Sequence, residues 1–382
     1  MVGDARRDRH HQLWTLLAGD HMLFAGEMPM QSGPIDCDVH PAVPGIAALT
    51  PFLEPYWREQ VAVRGIDGLD LSSYPTGAPD AARPDWRIAG QKPGTNYETF
   101  RRFALDGFGS KIAICNVLYG APALFNRHFA TALAGATNDW LAAEWLDRDA
   151  RLRGSITVAP QDPAGAVREI ERRAADGRFV QVMLLAAGDV PLGQPAYWPI
   201  YEVAERHHLP IGVHAGSTYR HPGTGNGWPS YHLEDVVVRA QAFQGQLLSL
   251  VHEGVFAKFP ELRFVMIEAG FTWLPNFLWR ANRTWRGVRA EVPWVDRPPA
   301  DLIRERVRFT LQPGDAPPDA ASMERVLDQL GSEEMLLFST DWPHWQFDGD
   351  DPFPPGFSAE RRRRVTLDNP LATYPLLQQV MA

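Results

Sequence analysis

Eight short, strongly apolar runs are spaced along the chain, and most are followed by a stretch of helical character. The runs are GPIDCDVH (33–40), KIAICNV (111–117), GSITVAP (154–160), FVQVMLLAA (179–187), PIGVHAG (210–216), RFVMIEAG (263–270), VRFTLQP (307–313) and MLLFSTD (335–341). Near-continuous apolar runs that alternate with amphipathic helices are typical of parallel strands buried on both faces. Eight such units predict a (β/α)8 TIM barrel. A doubly wound open sheet is the alternative, because strand order is not visible in a sequence.

The section between the first two runs is long for a connection within a compact domain. Residues 41 to about 106 are rich in Pro, Gly, Trp and Tyr and have mostly loop character. Long loops in compact domains are commonly lids or binding loops, so we predict a lid-like insertion after strand one. Residues 1–32 are predicted to form an N-terminal extension, which leaves 33–382 as a single TIM-barrel domain.

Composition argues against several classes of partner. The formal net charge is −9, whereas nucleic-acid-binding proteins normally present a basic surface. No apolar run approaches the ~20 residues that a helix needs to span a bilayer. The cysteines, Cys37 and Cys115, form neither a disulfide framework nor a CxxC metal motif. We therefore predict a cytoplasmic protein that acts on a small molecule and binds neither nucleic acid nor membrane.

Titratable side chains occur where four of the eight predicted strands end. Asp38 and His40 end the first run, His214 the fifth, Glu268 the sixth and Asp341 the eighth. TIM-barrel active sites form at the C-terminal ends of the strands. We therefore expect these five side chains to lie close together.

The first strand has a further polar residue, Asp36. Residues spaced by two along a strand point to the same side. Strict alternation therefore predicts that Asp36, Asp38 and His40 share one face and that Cys37 faces away from the carboxylates.

These polar residues together suggest a metal site. A lone histidine at a strand end is more often a core residue, and a lone aspartate more often caps a helix. Several carboxylates at one barrel mouth, however, would repel each other and be costly to desolvate, and a divalent cation removes that cost. A mixed set of imidazoles and carboxylates suits Zn²⁺ and also Mn²⁺ or Fe²⁺. We therefore predict a divalent metal ion at these strand ends, with zinc as the first candidate.

The chain resembles the amidohydrolase superfamily, in particular the amidohydrolase-related branch that includes aminocarboxymuconate-semialdehyde decarboxylase and the resorcylate-type decarboxylases. The resemblance extends from about Gly33 to DNPLATY (368–374), and IDCDVH (35–40) is similar to the family's IDxHxH or xDxExH opening. It implies that Asp36 is a structural aspartate. It also implies that Asp38, His40, His214 and the strand-eight aspartate Asp341 bind the metal ion.

The chain departs from the family's pattern at two positions. The predicted fourth strand has no lysine, the residue that is carbamylated to bridge two metals in binuclear members, so the resemblance implies a single ion. The decarboxylases carry a catalytic histidine at the end of strand six, where this chain has Glu268.

The expected chemistry depends on the charge of this site. The resemblance implies that Asp341 orients or deprotonates a metal-activated water, with Glu268 as a second acid/base or as a residue that only orients its neighbours. An ionised Glu268 would make the site anionic, which suits a neutral carbonyl better than a free carboxylate. We therefore predict a metal-dependent hydrolase of an amide, lactone, ester or activated C–C bond in a small cyclic or aromatic compound. The alternative is a metal-dependent decarboxylase of an aromatic or unsaturated acid, and a third possibility is a non-catalytic barrel.

The loops after strands five, six and eight carry residues suited to bind a ring. We predict substrate contacts from Tyr219, Arg220, Trp273, Trp342 and His344. For each aromatic residue alone, packing of a lid over the barrel is the competing explanation. The Trp-rich insertion and the habit of the family predict a homodimer.

Overall fold

The strands form one sheet whose order follows the chain. The structure is a computed structural model, and it describes residues 33–69, 82–218, 220–344 and 351–381. All neighbouring strands from β1 to β8 pair in parallel. The strands are β1 Ile35–Val39, β2 Ile112–Cys115, β3 Leu152–Thr157, β4 Phe179–Ala187, β5 Ile211–Ser217, β6 Phe264–Ile267, β7 Val307–Thr310 and β8 Leu336–Leu337.

The last strand returns to the first. Cys37 N donates to Phe338 O at 2.9 Å, and His40 N donates to Trp342 O at 2.7 Å. The segment after β8 therefore lies beside β1, which brings the sheet to a nearly closed ring. The (β/α)8 TIM barrel predicted from the eight apolar runs is confirmed.

Helices connect the strands and surround the barrel. In chain order they are α1 Ile46–Leu49, α2 Pro55–Arg64, α3 Tyr97–Phe100, α4 Arg127–Leu141, α5 Pro163–Ala174, α6 Trp198–Arg206, α7 His232–His252, α8 Val255–Lys258, α9 Leu274–Val288, α10 Pro299–Arg306, α11 Ala320–Leu330, α12 Ala359–Arg363, α13 Asn369–Thr373 and α14 Pro375–Met381. Wider helical turns extend α3 over Arg101–Asp106, α4 over Ala142–Leu146 and α12 over Arg364–Asp368.

Helix α5 shows how local sequence defines these elements. Its N-cap Asp162 accepts a hydrogen bond from Gly165 N at 3.2 Å, and Pro163 occupies the first helical position, where a missing N–H costs nothing. Ala166 and Ile170, four residues apart on one face, are buried. The amphipathic pattern thus determines which face of the helix packs on the barrel.

Two apolar clusters lie on opposite sides of the sheet. The larger packs outward-facing strand residues such as Val213 against surrounding helices, including Leu250 of α7. The smaller contains residues of β1, β2, β4, β6 and β8 together with Tyr374 and Leu377. Side chains from non-adjacent strands meet only inside a barrel, so this smaller cluster fills the barrel interior.

The predicted insertion packs beside the end of β8. Phe100 is fully buried, and its ring centroid lies 5.1 Å from that of Trp342. Arg83 N donates to Pro343 O at 2.9 Å. The described part of the insertion includes α1, α2 and α3 rather than loop alone. A lid function for it stays a prediction.

The predicted N-terminal extension, residues 1–32, lies outside the described residues. In the part of the chain that the structure describes, no helix is both long enough and apolar enough to cross a membrane.

Candidate metal centre

Strand β1 does not follow strict alternation. Its register on β2 shifts between Asp36 and Val39. Cys37 belongs to the apolar cluster inside the barrel. Ile35, two residues before Cys37, belongs to the same cluster, so the residue that departs from alternation is Asp38. A local irregularity of this kind changes the side to which later residues point. Cys37 and Asp38 therefore both face the interior, and the expectation that Cys37 faces away from the carboxylates is wrong for Asp38. Asp38 and His40 reach the site all the same.

Asp36 joins β1 to the end of β8. Its carboxylate accepts hydrogen bonds from Thr340 N at 3.0 Å, from Thr340 Oγ1 at 2.6 Å and from Asp38 N at 3.2 Å. Burial raises the pKa of Asp36 to about 7, although these hydrogen bonds oppose the rise. Because Thr340 directly precedes Asp341, these contacts fix the position at which that residue enters the site.

Five strand-end side chains converge on one point. His40 Nε2 lies 3.1 Å from Asp38 Oδ1, 3.2 Å from Glu268 Oε1 and 3.1 Å from Asp341 Oδ1. His214 Nε2 lies 3.2 Å from Glu268 Oε1 and 3.8 Å from Asp38 Oδ1. All five side chains are buried. The structure thus brings together every strand-end residue that the sequence singled out.

The atoms that face this point lack hydrogen-bond partners. No hydrogen bond to a described residue is made by Asp38 Oδ2, His40 Nε2, His214 Nε2, Glu268 Oε1 or Asp341 Oδ2. The candidate ligand atoms of Asp38, His40, His214 and Glu268 all lie within 4.8 Å of one another. Buried polar atoms without partners are rare and need an explanation. A divalent cation would satisfy these four residues together, so their nitrogen and oxygen donors fit a metal ion. Asp341 belongs to a second, overlapping group with His40, Glu268 and His344.

The two buried histidines present the correct nitrogen to such an ion. His40 Nδ1 lies 3.0 Å from Asn116 O, and His214 Nδ1 lies 2.6 Å from Ala215 O. A carbonyl oxygen only accepts hydrogen bonds, so Nδ1 carries the proton and donates it. The Nε2 lone pair is then available to a ligand, as it is in metal-binding histidines with an anchored Nδ1.

Burial and the contacts among these side chains shift their pKa values in the ion-free site. Burial raises the pKa of Asp38, but the nearby imidazoles of His40 and His214 outweigh it and hold that pKa at about 2. Burial lowers the pKa of His214, but Glu268 and Asp38 raise it to about 9. Burial and the neighbouring Glu268 raise the pKa of Asp341. Without an ion, protonated imidazoles therefore compensate the carboxylates.

Two of the carboxylates have strained backbone conformations. Glu268 and Asp341 both have φ of 56°, in the left-handed region that residues other than glycine rarely adopt. Asp341 N donates to Asp38 O at 3.1 Å, and Glu268 N donates to Thr310 Oγ1 at 3.0 Å. Such strain persists only where the surroundings enforce it, and it is concentrated at functional sites.

His344 is the sixth member of the cluster. Its Nδ1 lies 2.6 Å from Asp341 Oδ1 and 3.6 Å from Glu268 Oε1. Burial lowers its pKa, but these carboxylates raise the pKa to about 10. The structure therefore places this predicted substrate contact inside the candidate metal centre.

The other predicted substrate contacts lie elsewhere. Arg220 forms an ion pair with Asp189, donates to Ala123 O at 3.0 Å and lies over the ring of Phe125, so it connects loops after β2, β4 and β5. Trp342 is 1% exposed and packs under the insertion. Substrate binding by these residues stays a prediction.

Two predicted contacts remain. The ring of Trp273 packs against Phe277 and Phe309, and its Nε1 donates to Ala269 O at 2.9 Å. These are contacts of the core around β6 and β7, and a substrate contact for Trp273 stays a prediction. Tyr219 lies outside the described residues.

Sequence reasoning missed Asn116 and Thr340 as parts of the site. Asn116 Nδ2 donates to Asp38 Oδ1 at 2.8 Å, and Thr340 holds Asp36. Both are fully buried polar residues next to strand ends. Their position in otherwise apolar runs is the signal that could have identified them.

Known proteins are similar to this chain in sequence and in fold. The profile of the amidohydrolase family matches residues 35–376. Gamma-resorcylate decarboxylase of a Polaromonas species is 26% identical over 228 residues, which are 57% of this chain and 68% of that protein.

Solved structures with low sequence identity to this chain have a similar fold. An amidohydrolase from Mycobacterium avium subsp. paratuberculosis has a TM-score of 0.68 at 20% identity, covering 90% of this chain and 99% of that one. A Polaromonas dihydroxybenzoic acid decarboxylase with bound manganese and the inhibitor 2-nitroresorcinol has a TM-score of 0.60 at 20% identity, covering 91% and 98%. Since the family profile spans most of the chain, from β1 to α14, the protein belongs to the amidohydrolase family.

Proposed function

We propose that the protein is a metal-dependent decarboxylase of an aromatic acid that carries a hydroxyl group next to its carboxylate. The observation that carries this proposal is the position of His344 between Asp341 and Glu268, at 2.6 Å and 3.6 Å. The side chain of His344 is 25% exposed, against at most 7% for the other side chains of the cluster. It is therefore the member of the cluster best placed to reach a substrate.

The charge of the site favours decarboxylation over the hydrolysis predicted first. Asp38, Glu268 and Asp341 carry three negative charges when ionised, and a divalent ion compensates two of them. His344 lies between Asp341 and Glu268, and a protonated imidazole at this position compensates the third. The site is anionic, and would favour a neutral substrate, only if the imidazolium of His344 is left out of the count. With His344 included, the site is formally neutral and accepts a carboxylate.

Decarboxylation needs a proton donor, and His344 supplies one. When the bond between the ring carbon and the carboxylate breaks, CO2 leaves and the electron pair stays on the ring carbon, which then takes a proton. A protonated His344 donates that proton and regains one from solvent through its exposed edge. The hydrogen bond between His344 Nδ1 and Asp341 Oδ1, at 2.6 Å, holds the imidazole in place. A bound divalent ion would supply the Lewis acid that holds the adjacent substrate oxygens.

An apolar lining for the ring is available at the mouth of the barrel. A small cavity at the C-terminal ends of β2, β3 and β4 is lined by Val117, Leu118, Tyr119, Pro122, Thr157, Met183, Leu184 and Leu185. Val117 directly follows Asn116, the hydrogen-bond partner of Asp38. The resorcylate and dihydroxybenzoic acid decarboxylases named above support an aromatic acid as the substrate class. Zinc and manganese are the ions to test, manganese because that relative binds it.

The test is product analysis on zinc- and manganese-loaded protein. We expect 2,6-dihydroxybenzoate or a related ortho-hydroxybenzoate to yield CO2 and an equal amount of the phenol. His344→Gln should abolish turnover while the metal content is retained, and His128→Gln, an exposed histidine of α4, should change neither. Turnover of aryl esters, lactones or amides with uptake of oxygen from water, and none of the acids, would establish hydrolysis instead.

A further inference from the structure

A chain of buried polar side chains runs through the barrel interior to Asp38. Its members are Asn116 after β2, Ser155 on β3, Gln181 on β4 and Tyr374 between α13 and α14, and each is 0% exposed. Tyr374 Oη donates to Gln181 Oε1 at 3.0 Å, and Gln181 Nε2 donates to Ser155 Oγ at 2.8 Å. Ser155 Oγ donates to Asn116 Oδ1 at 2.5 Å, and Asn116 Nδ2 donates to Asp38 Oδ1 at 2.8 Å. We refer to Tyr374, Gln181, Ser155 and Asn116 as the barrel relay.

The chemistry of the groups determines the direction of every hydrogen bond in the barrel relay. An ionised Asp38 only accepts, so the amide nitrogen of Asn116 faces it and Asn116 Oδ1 faces Ser155. Ser155 then donates to Asn116 and accepts from Gln181 Nε2. That leaves Gln181 Oε1 for the hydroxyl of Tyr374. Reversal of one amide would place two acceptors or two donors against each other in the interior, which is costly.

Asn116 contacts both candidate metal ligands of β1. Its side chain donates to Asp38 Oδ1, and its backbone carbonyl accepts from His40 Nδ1 at 3.0 Å. Its backbone N–H also donates to Val39 O at 2.8 Å, between the two ligands in sequence. With Oδ1 held in this way, Asp38 Oδ2 is left without a partner among the described residues and is free to bind an ion.

The barrel interior has room for the side-chain amide of Gln181 because residue 212 is a glycine. A Cβ atom at Gly212 of β5 would lie 2.6 Å from Cδ of Gln181. Any larger residue at position 212 would therefore displace Gln181 from the barrel relay. The glycine leaves the interior volume that the glutamine amide fills.

We propose that Asn116 is the positioning residue of the metal centre and that the rest of the barrel relay holds its amide in the orientation that aligns Asp38. The inference rests on the metal centre of the proposed function. The barrel relay connects Tyr374, in the C-terminal segment, to the candidate metal ligand Asp38 at its other end. Hydrogen-bonded partners of metal ligands commonly change metal affinity by about 10- to 100-fold when they are removed.

The test compares metal affinity in variants that change the barrel relay at its two ends. Zinc dissociation constants are measured by competition with a chromogenic chelator, and the absorption spectrum of the cobalt-loaded protein reports ligand geometry. Asn116→Ala should weaken zinc binding by about 10-fold or more and change the cobalt spectrum. Tyr374→Phe removes a single hydroxyl and should weaken zinc binding by about threefold, the scale of one hydrogen bond.

The matched control is Tyr201→Phe. Tyr201 is also 0% exposed, and its hydroxyl donates to Leu192 O at 2.6 Å, outside the barrel relay. This variant should lose a comparable amount of stability and leave zinc affinity and the cobalt spectrum unchanged. If Asn116→Ala does not fold, the comparison of Tyr374→Phe with Tyr201→Phe decides the question.

The outcomes separate this inference from the proposed function. Wild-type protein that binds zinc, with variants that bind it equally well and give the same cobalt spectrum, would overturn the role of Asn116 and the barrel relay alone. Wild-type protein that binds neither zinc nor cobalt would overturn the metal centre and the proposed function together with it.

Discussion

The imidazole of His40 and the carboxylate of Glu268 meet across the mouth of the barrel, with 3.2 Å between Nε2 and Oε1. The two residues belong to non-adjacent strands, and neither atom makes a hydrogen bond to a described residue. A carboxylate that only oriented its neighbours would be hydrogen-bonded to them. The geometry therefore favours Glu268 as an additional metal ligand, beyond the acid/base role expected from the sequence.

Replacement of Glu268 distinguishes these two roles. Glu268→Gln keeps the shape of the side chain and removes its charge, so we expect metal affinity to fall by at least about tenfold, as for lost partners at metal sites. The measurement is a zinc or manganese titration of the purified variant. Unchanged affinity together with lost turnover would instead assign Glu268 to proton transfer alone.

Removal of His214 should abolish the metal site. Its Nε2 makes no hydrogen bond to a described residue and points at the cluster. We expect about one equivalent of zinc or manganese in the wild-type protein after reconstitution, and almost none in His214→Ala, by elemental analysis. His207→Ala is the control, because His207 pairs with Glu171 at 2.6 Å away from the cluster. Equal metal content in wild type and His214→Ala would contradict the prediction.

The bound ion should stabilise the fold, because its ligands are brought together only in the folded protein. An ion present at 100 times its dissociation constant adds about 2.7 kcal/mol to the free energy of unfolding. We therefore expect a chelator to lower the melting temperature of the wild-type protein. The melting temperature of His214→Ala should not respond to the chelator. A wild-type melting temperature that is insensitive to chelator and to added ion would count against the site.

Gly94 in the insertion supports the position of His40. It has φ of 80°, and a Cβ atom there would lie 2.7 Å from His40 O. Gly90 has a similar φ of 74° but no atom within 4 Å of a Cβ. Both Gly→Ala variants place a Cβ atom in the left-handed region, at a cost of about 1–2 kcal/mol, but only Gly94→Ala should also weaken metal binding. Equal metal affinities in the two variants would show that the insertion does not constrain His40.

The hydroxyl of Thr340 should matter for both stability and metal binding. It donates to Asp36 Oδ2 at 2.6 Å, one residue before Asp341. Thr340→Val leaves a buried carboxylate oxygen without this donor, so we expect a loss of about 1–3 kcal/mol in the free energy of unfolding and weaker zinc binding. Thr137→Val removes a buried hydroxyl that donates to Leu133 O at 2.9 Å and should affect stability only. Denaturant unfolding and zinc titration measure the two effects.

The sequence by itself determined the eight strands, for which it favoured a barrel, and the identity of their polar ends. Eight apolar runs separated by helices restrict the chain to parallel strands buried on both faces, and parallel strands in a ring bring their C-terminal ends together. Asp38, His40, His214, Glu268 and Asp341 could be singled out for this reason, since each ends an apolar run. Periodicity and position are local properties, so no three-dimensional contact was needed to find these residues.

Only the tertiary structure decided how these side chains are held. The register shift in β1 lets Asp38 face the barrel interior beside Cys37, against strict alternation. Ring closure placed His344 between Asp341 and Glu268, which changed the charge of the site. The contact of Tyr374 with Gln181 joins distant parts of the chain. Strand register and side-chain contacts depend on non-local packing, which spacing along the chain does not encode.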